Sequence, residues 1–218
     1  MHPLAPRRQQ VEAVFAELGR VWRICELSHK PFPTGRAAHG ALDGLATSMA
    51  QHRIAAQDIE HIEVAAPPLI LRLVGRPIKP GMDANYARLC LPYLAATHLV
   101  RGQVTLDDFT AEAMADPHRL ALTARVTTVA NDCTDPNALA PQTVRLTLAG
   151  GASVQIDLPA ILGHPSRPLS AAAQRAKFNA CCAHAGLTEQ ATDALHQACA
   201  RLADLEDLAR WISLMRGD

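Results

Sequence analysis

A glycine pair between two runs of alternating apolar residues constrains this 218-residue chain more than any other feature. The runs Thr143–Leu148 and Ser153–Leu158 place apolar residues at every second position, which is the period of a strand with one buried face. Gly150 and Gly151 lie between the runs, and glycine adopts the positive φ angles of a tight hairpin turn without steric cost. The sequence therefore predicts a β-hairpin in residues 143–158.

Three further segments are predicted to be strands, and a fourth apolar segment is left unassigned. Asp58–Ala65 contains regularly spaced apolar residues and is ended by Pro67–Pro68. β-branched and apolar residues favour a strand in Val21–Leu27 and in Ala124–Ala130. The stretch Leu69–Val74 is apolar but too short to assign to a strand or a helix.

Helical spacing of apolar residues predicts two helices between these strands. In Ala37–His52 the apolar residues recur at intervals of three and four, which brings His39 and Asp43 together on a neighbouring face. Ala84–Val100 is apolar on most faces and is predicted to be a buried helix that Pro92 either kinks or begins.

Capping residues delimit the other helices. A serine or threonine at the N-cap accepts a hydrogen bond from an otherwise unpaired main-chain N–H of the first turn. On this basis Thr105, with Asp108 at the third helical position, and Ser170 each begin a helix. The remaining predicted helices cover Gln9–Leu18, about Ser170 to Ala185 and about Thr188 to Met215.

The order of these elements predicts an α+β protein in three parts. Residues 1–20 form an N-terminal helix and linker, residues 21–160 an α+β domain, and residues 161–218 C-terminal helices. Exposure of an apolar stripe on those helices is costly, because burying a large side chain stabilises by roughly 1.5–3 kcal/mol. We therefore expect self-association, or a companion polypeptide, to cover the stripe of Leu195, Leu202, Leu205, Leu208, Trp211 and Leu214.

Composition and charge exclude several classes of protein. Basic and acidic residues number 21 each, so the chain lacks the positive charge with which proteins bind nucleic acid or anionic membranes. No apolar run approaches the roughly 18 residues of a membrane span, and the polar N-terminus is not signal-like, so we expect a cytoplasmic protein. Six cysteines are too few for a disulfide framework, and no metal-ligand spacing occurs.

The densest group of chemically active side chains lies in residues 28–43. Prolines at positions 31 and 33 stiffen the loop after Lys30, and cations beside a helix start attract anions. This group is therefore a candidate receptor for a carboxylated small molecule. The alternative is a solvated basic loop with His39 on the helix surface. The members of the group are Ser28, His29, Lys30, Arg36, His39 and Asp43.

Tyr93 is the second candidate for chemistry. It lies in a predicted apolar helix, where a phenolic hydroxyl needs a partner. One interpretation is a donor to a substrate carboxylate or carbonyl, and the other is a core tyrosine that donates to a main-chain carbonyl.

Several segments, in a fixed order, resemble the MmgE/PrpD family. Lys30–Asp43 resembles the family's segment K-P-[YF]-P-x-[CG]-x-x-[TA]-H-x-A-[IL]-D. The other similar segments are Asp58–Val64, Ala87–Tyr93, Gly102–Phe109, Asp116–Val126 and Gly163–Ser170 followed by Lys177–Phe178. Members of the family include 2-methylcitrate dehydratase, cis-aconitate decarboxylase and iminodisuccinate epimerase.

The resemblance implies a subunit with a large helical domain and an α+β lid, of which this chain is similar only to the lid and the C-terminal helices. It implies cofactor-independent proton removal next to a carboxylate of a di- or tricarboxylic acid. On this resemblance Lys30 would face a substrate carboxylate, His39 would be a nearby motif residue and Tyr93 would be a hydroxyl donor near the reacting centre. The charge of the loop adds Arg36 as a second candidate for binding substrate, and we take His39 and Tyr93 as the candidate catalytic residues. Gly35 occupies the position of a lid histidine in cis-aconitate decarboxylase, which disfavours decarboxylation.

Three hypotheses about function follow. In the first, the chain is part of a lyase whose catalytic base comes from a helical half that is encoded upstream or supplied by a companion polypeptide. The second is a truncated, non-catalytic relative that acts as a binding or interaction protein. The third is a zinc-binding protein, although we assign no metal ligand and expect no cofactor.

Overall fold

The computed structural model describes residues 11–13, 15–204 and 208–216. The protein has a mixed α+β fold, as predicted, in which a four-stranded sheet packs against helices on one face. The opposite face of the sheet carries polar side chains, including an ion pair between Glu63 and Arg145 with N and O atoms 3.4 Å apart. No helix among the described residues combines the length and apolarity that crossing a membrane requires.

The sheet has the strand order β2-β1-β3-β4. β1 and β2 are parallel, whereas β1–β3 and β3–β4 are antiparallel. The predicted hairpin is confirmed: Val144 lies opposite Ile156, and the Leu148 N–H donates to the Ala152 carbonyl oxygen at 2.8 Å. The strands are β1 (Ile59–Ala66), β2 (Val126–Ala130), β3 (Gln142–Leu148) and β4 (Ser153–Leu158).

Helices pack on the buried face of the sheet, and further helices follow along the chain as far as Arg216. The described helices are α1 (His39–His52), α2 (Pro68–Val74), α3 (Ala84–Ala87), α4 (Leu91–Arg101), α5 (Ala111–Ala115), α6 (Pro117–Leu122), α7 (Ala171–His184), α8 (Glu189–Ala200) and α9 (Leu208–Arg216). Short 3-10 helices cover Arg23–Glu26, Arg36–Ala38, Ala56–Asp58, Leu106–Phe109, Thr123–Arg125 and Leu202–Asp204.

Several predicted helix boundaries are confirmed. Pro92 marks a helix start, since α4 begins at Leu91 and the missing proline N–H is tolerated in a first turn. The Asp108 carboxylate accepts from the Thr105 main-chain N–H at 2.7 Å, as in a capping box. The Ser170 hydroxyl accepts from the Ala173 N–H at 3.1 Å and caps α7.

The predicted strand over Val21–Leu27 is wrong. Residues Arg23–Glu26 form a 3-10 turn, and Arg23 forms an ion pair with Glu26 at 2.9 Å. A strand needs a partner for its main-chain groups, and none of the described strands pairs with this segment. The backbone is satisfied locally instead, since the Cys25 N–H donates to the Trp22 carbonyl oxygen at 3.0 Å.

The predicted helices at the two ends differ from the structure in extent. The stretch from Thr188 to Met215 is not one helix, because α8 ends at Ala200 and Arg201 leaves helical geometry with ψ near 25°. A second helix, α9, follows the 3-10 turn Leu202–Asp204. The predicted helix over Gln9–Leu18 lies partly outside the described residues, of which 11–13 and 15–16 are helical.

Two glycines let α1 lie close against the sheet. Gly40 and Gly44 are one turn apart and face β3. A Cβ atom at Gly44 would lie 2.6 Å from Val144 Cγ2 and 2.9 Å from Leu158 Cδ1. A Cβ atom at Gly40 would lie 2.5 Å from the side chain of Gln142. The sheet therefore sets the position of the first turns of α1.

We expect Gly44→Ala to destabilise the protein although alanine favours helix more than glycine by about 1 kcal/mol. The added methyl meets a β-branched, buried neighbour that cannot move aside, and such overpacking costs about 1–3 kcal/mol. Urea unfolding measures the change. Val144→Ala should relieve it, so Gly44→Ala should cost less in that background, and an equal cost in both backgrounds would contradict the contact.

Candidate anion-binding site

The loop before α1 presents a lysine at the protein surface. Lys30 is exposed, and its Nζ donates to the Thr34 carbonyl oxygen at 3.2 Å. An ammonium has three N–H donors, so two remain available. Pro31 and Pro33 fix φ along the turn that connects Lys30 to Thr34. The Lys30 side chain therefore bonds to the main chain of the same predicted stiff loop that carries it.

His39 lies buried behind this loop, at the first residue of α1. Its exposed fraction is 0%, so the alternative that placed it on the helix surface is wrong. The Phe32 ring meets the imidazole edge-on, with 5.6 Å between ring centroids. Neither imidazole nitrogen has a hydrogen-bond partner among the described residues. A buried imidazole without partners is an unused donor and acceptor beneath the loop.

Three cations act on His39. Burial, the largest cause, and the positive charges of Lys30, Arg36 and Lys177 together lower the pKa of its imidazole to about 4. The Thr34 main chain opposes this shift but falls short of hydrogen-bond geometry with the ring. The positive end of the α1 dipole also disfavours an imidazolium here. His39 is therefore neutral at neutral pH in a positive surrounding.

The Arg36 side chain has an unused donor at the same place. Arg36 is half-buried in the 3-10 turn that leads into α1, and its Nε has no hydrogen-bond partner among the described residues. Buried guanidinium groups are normally bonded to acceptors. The loop therefore combines positive charge with unpartnered donors, as an anion-binding site requires.

The linker after β4 holds the loop in place. The His29 N–H donates to the Gly163 carbonyl oxygen at 2.9 Å, and the Gly163 N–H donates to the Arg167 carbonyl oxygen at 2.8 Å. Gly163 has φ of 89°, and a Cβ atom there would lie 1.9 Å from the His29 oxygen. Arg167 in turn forms an ion pair with Asp43 of α1 at 2.5 Å. Asp43 therefore anchors the linker.

Tyr93 belongs to a second, fully buried polar cluster. Its hydroxyl donates to the Asp108 main-chain oxygen, while Arg119 Nη1 donates to the tyrosine oxygen at 2.9 Å. Arg119 also donates to Asp108 Oδ1 at 3.2 Å and to Thr97 at 3.3 Å. Burial raises the pKa of the Tyr93 hydroxyl, and the Arg119 charge opposes that rise.

The two clusters are adjacent through packing rather than through direct bonds. Among the described residues, no hydrogen bond joins Tyr93 to Lys30, Arg36 or His39. Arg88 connects them: its carbonyl oxygen accepts from the Gly35 N–H at 3.0 Å, and its guanidinium lies 5.0 Å from the Phe109 ring centroid. The role of Tyr93 as a donor to substrate stays a prediction.

Other sites in the described residues have different chemistry. No three His, Cys, Asp or Glu side chains in residues 11–13, 15–204 and 208–216 lie close enough together to hold a metal ion. A shallow groove along α8 carries acidic and amide side chains, which do not suit a carboxylate. Its lining residues are Glu189, Gln190, Asp193, Ala194 and Gln197.

A comparison of the sequence with models of protein families identifies the family of this chain. The sequence model of the MmgE/PrpD C-terminal domain matches residues 32–202. This chain belongs to the MmgE/PrpD family. A comparison with curated proteins gave no match. The matched range of this MmgE/PrpD domain includes Arg36, His39, Tyr93 and Lys177 and begins two residues after Lys30.

Residue types alone do not point to two residues of the candidate site. Lys177 lies 147 positions from Lys30, yet its Nζ donates to the Lys30 carbonyl oxygen at 2.6 Å. Gly163 makes the close approach that the loop needs. Both residues lie in segments that resemble the family, so the ordered resemblance was the available signal, while spacing along the chain gave none.

The lowered pKa of His39 predicts a loss of stability on acidification. Between pH 6.5 and about 4 the unfolded chain binds a proton at this position that the folded protein does not, so the free energy of unfolding falls as pH falls. Above pH 6.5 the protonation of His39 does not reduce the free energy of unfolding, whereas below pH 4 it has reduced it by roughly 3 kcal/mol. Urea unfolding across this range should show a smaller pH dependence in His39→Gln.

His98 provides the comparison, because burial also lowers the pKa of its imidazole. His98→Gln should flatten the same curve, and His39→Gln should flatten it further in that background, since the two histidines are separate groups. An unchanged pH dependence in His39→Gln would show that the His39 ring is not held neutral in the folded state.

Proposed function

We propose that this chain forms the substrate-carboxylate-binding wall of a cytoplasmic, cofactor-independent lyase of the 2-methylcitrate dehydratase type. The substrate class is a di- or tricarboxylic acid. Membership of the MmgE/PrpD family supports this proposal. The observation on which it rests most is the buried, unpartnered His39 imidazole beneath Lys30, Arg36 and Lys177.

The proposed reaction is the elimination of water next to a carboxylate. A base removes a proton from the carbon beside the carboxylate, and that electron pair forms a carbon–carbon double bond as the hydroxyl group on the adjacent carbon leaves. A proton donor converts the departing hydroxide to water. Negative charge develops on the carboxylate during proton removal, so cations fixed at that carboxylate stabilise the transition state.

Each side chain of the candidate site has a proposed part in this reaction. Lys30 and the free Nε of Arg36 bind substrate carboxylates, since both offer unused donors. The neutral His39 imidazole donates its ring N–H to the same substrate carboxylate, and because the ring is neutral it is too weak an acid to protonate that carboxylate. A bound carboxylate raises the pKa of His39, because it places negative charge beside the ring.

The proposed base comes from outside the described site. The nearby carboxylate, Asp43, is bonded to Arg167 and serves as an anchor. We therefore propose that residues 21–160 act as a lid, that residues 161–218 join a helical domain, and that this domain brings the base. The helical domain is encoded upstream or belongs to a companion polypeptide.

Substitution of Lys30 tests the assignment of the cation. Turnover of 2-methylcitrate is measured for the chain with and without the product of the upstream reading frame. We expect activity only with both, and we expect Lys30→Ala to lower kcat/KM by roughly 10- to 100-fold, as loss of a charged hydrogen bond of about 1.5–3 kcal/mol implies.

Lys79→Ala is the matched control, because Lys79 is an exposed lysine that lies over the Tyr86 ring and is not among the cations that act on His39. It should leave turnover unchanged. Equal turnover by the Lys30→Ala and unsubstituted proteins would remove Lys30 from the site, and vigorous turnover by the chain alone would contradict an external base.

The alternative function is a non-catalytic binding or interaction protein. Exposed apolar side chains near the N-terminus favour a partner: Trp22 is 68% exposed and Ile24 72% exposed. In the predicted C-terminal stripe, Leu195 is buried while Leu202 is 45% exposed. Leu205 and the side chains of Leu208 and Leu214 lie outside the described part of the chain.

We propose that a second copy of the chain or the companion helical polypeptide covers these apolar side chains. Burying Trp22 and Ile24 removes large apolar surfaces from water, which favours association. Sedimentation velocity should detect a self-associated species that Trp22→Ser with Ile24→Ser weakens. A stable monomer that the upstream product does not bind would contradict both kinds of partner.

A further inference from the structure

Lys177 makes an unusual contact for an exposed lysine. It lies in the middle of α7, and its Nζ donates to the carbonyl oxygen of Lys30 at 2.6 Å. Exposed lysines ordinarily keep their ammonium in water, because holding a long side chain in one geometry costs conformational entropy. Here the ammonium is fixed on the main chain of the residue whose own side chain is the candidate carboxylate ligand.

The bond to Lys30 leaves Lys177 with capacity for a second ligand. One of its three N–H donors is used by the Lys30 carbonyl, and two remain. Lys30 itself uses one donor on Thr34 and also retains two. The Lys30 and Lys177 ammonium groups are both bonded to main-chain oxygens of the same short loop, where they repel each other, and an anion between them removes that repulsion.

The charge of Lys177 also reaches the buried histidine. The groups that act on His39 are Lys30 and Thr34 of the loop, Arg36 of the 3-10 turn, the Phe32 ring and Lys177 of α7. Lys177 is the cation in this set that comes from the C-terminal helices. The anion site therefore combines the lid with α7.

We propose that Lys177 is both a positioning residue for Lys30 and a third cation of the carboxylate site. By holding the Lys30 carbonyl, it fixes the main chain so that the Lys30 side chain stays beside Arg36 and His39. Its remaining donors bind a further carboxylate oxygen, which selects ligands with two or more carboxylates over monocarboxylates. The choice of ligand rests on the proposed function, whereas the positioning role does not.

This arrangement couples ligand binding to the docking of α7. A polycarboxylate that bonds to Lys177 and Lys30 together stabilises the contact between the helix and the loop. By linkage, anything that strengthens the docking of α7 strengthens polycarboxylate binding by the same factor. Arg175 and Phe178 pack α7 on α8 through Asp193 and His196, so α8 shares this coupling.

The test uses citrate, acetate and inorganic phosphate as probes of the complete chain. Calorimetry gives the affinities, and NMR titration of the His39 ring gives its pKa in the free and citrate-bound protein. We expect citrate to bind more tightly than acetate or phosphate and to raise the pKa of His39. Lys177→Met should weaken citrate at least tenfold and raise the pKa of His39 in the free protein, because a nearby positive charge is removed.

Lys177→Arg distinguishes a site residue from a merely structural one. It keeps the charge and the donors, so it should restore citrate affinity to within a few-fold and leave the pKa of His39 low. Lys79→Met is the matched control for loss of a surface lysine. Unaltered citrate affinity in Lys177→Met would overturn the proposal, as would weakened affinity with an unchanged pKa of His39, because neither the charge of Lys177 nor a Lys30 side chain that it positions would then act on the ring.

Failure of the proposed function has a different signature. If the unsubstituted chain binds neither citrate nor acetate, the carboxylate site is wrong, and the ligand part of this inference is wrong with it. In that case the positioning role is decided separately by the pKa of His39, which must still rise in Lys177→Met. An unchanged pKa would overturn that role as well.

Discussion

The close contact between α1 and β3 determines where the candidate site can form. Because Gly44 has no Cβ, the helix lies against Val144 at a distance that a larger side chain would prevent. The first residue of the helix, His39, is thereby fixed near the start of β3 and buried behind the proline loop. A helix N-terminus in this position places a positive dipole end beneath the cations. The packing of the fold therefore creates the electrostatic character of the site.

Segments that are distant in sequence then converge on this point. The proline loop brings Lys30, the linker after β4 brings Gly163, and α7 brings Lys177. The ion pair between Arg167 and Asp43 joins the linker to α1, so the loop, the linker and the helix are all bonded together. Gathering positive charge around a neutral imidazole is unfavourable in the unliganded protein, because the cations repel one another and the neutral ring carries no negative charge to offset them. Such an arrangement favours binding of an anion, which converts this repulsion into attraction.

The sequence predicted the features that depend on neighbours along the chain. The hairpin at Gly150–Gly151, the cap at Ser170 and the start of α4 near Pro92 all depend on local geometry. The predicted strand at Val21–Leu27 failed because strand formation needs a partner that composition does not reveal. The burial of His39 and the contact of Lys177 with Lys30 likewise depend on tertiary packing. Ordered resemblance to the family marked these segments, but only the fold placed them together.

The two polar clusters differ in a way that separates their roles. Around Tyr93, Arg119 and Asp108 form an ion pair and the tyrosine hydroxyl has both a donor and an acceptor, so the cluster is satisfied except at Arg119 Nε, and it stabilises the contact of α6 with α4. Around His39, donors and positive charge exceed the acceptors that the described residues supply. A satisfied cluster gains little from a ligand, whereas an unsatisfied one regains the hydrogen bonds that burial has cost it. The chemistry of this MmgE/PrpD domain is therefore expected at His39, with Arg88 and Phe109 as the packed connection through which the Tyr93 cluster supports it.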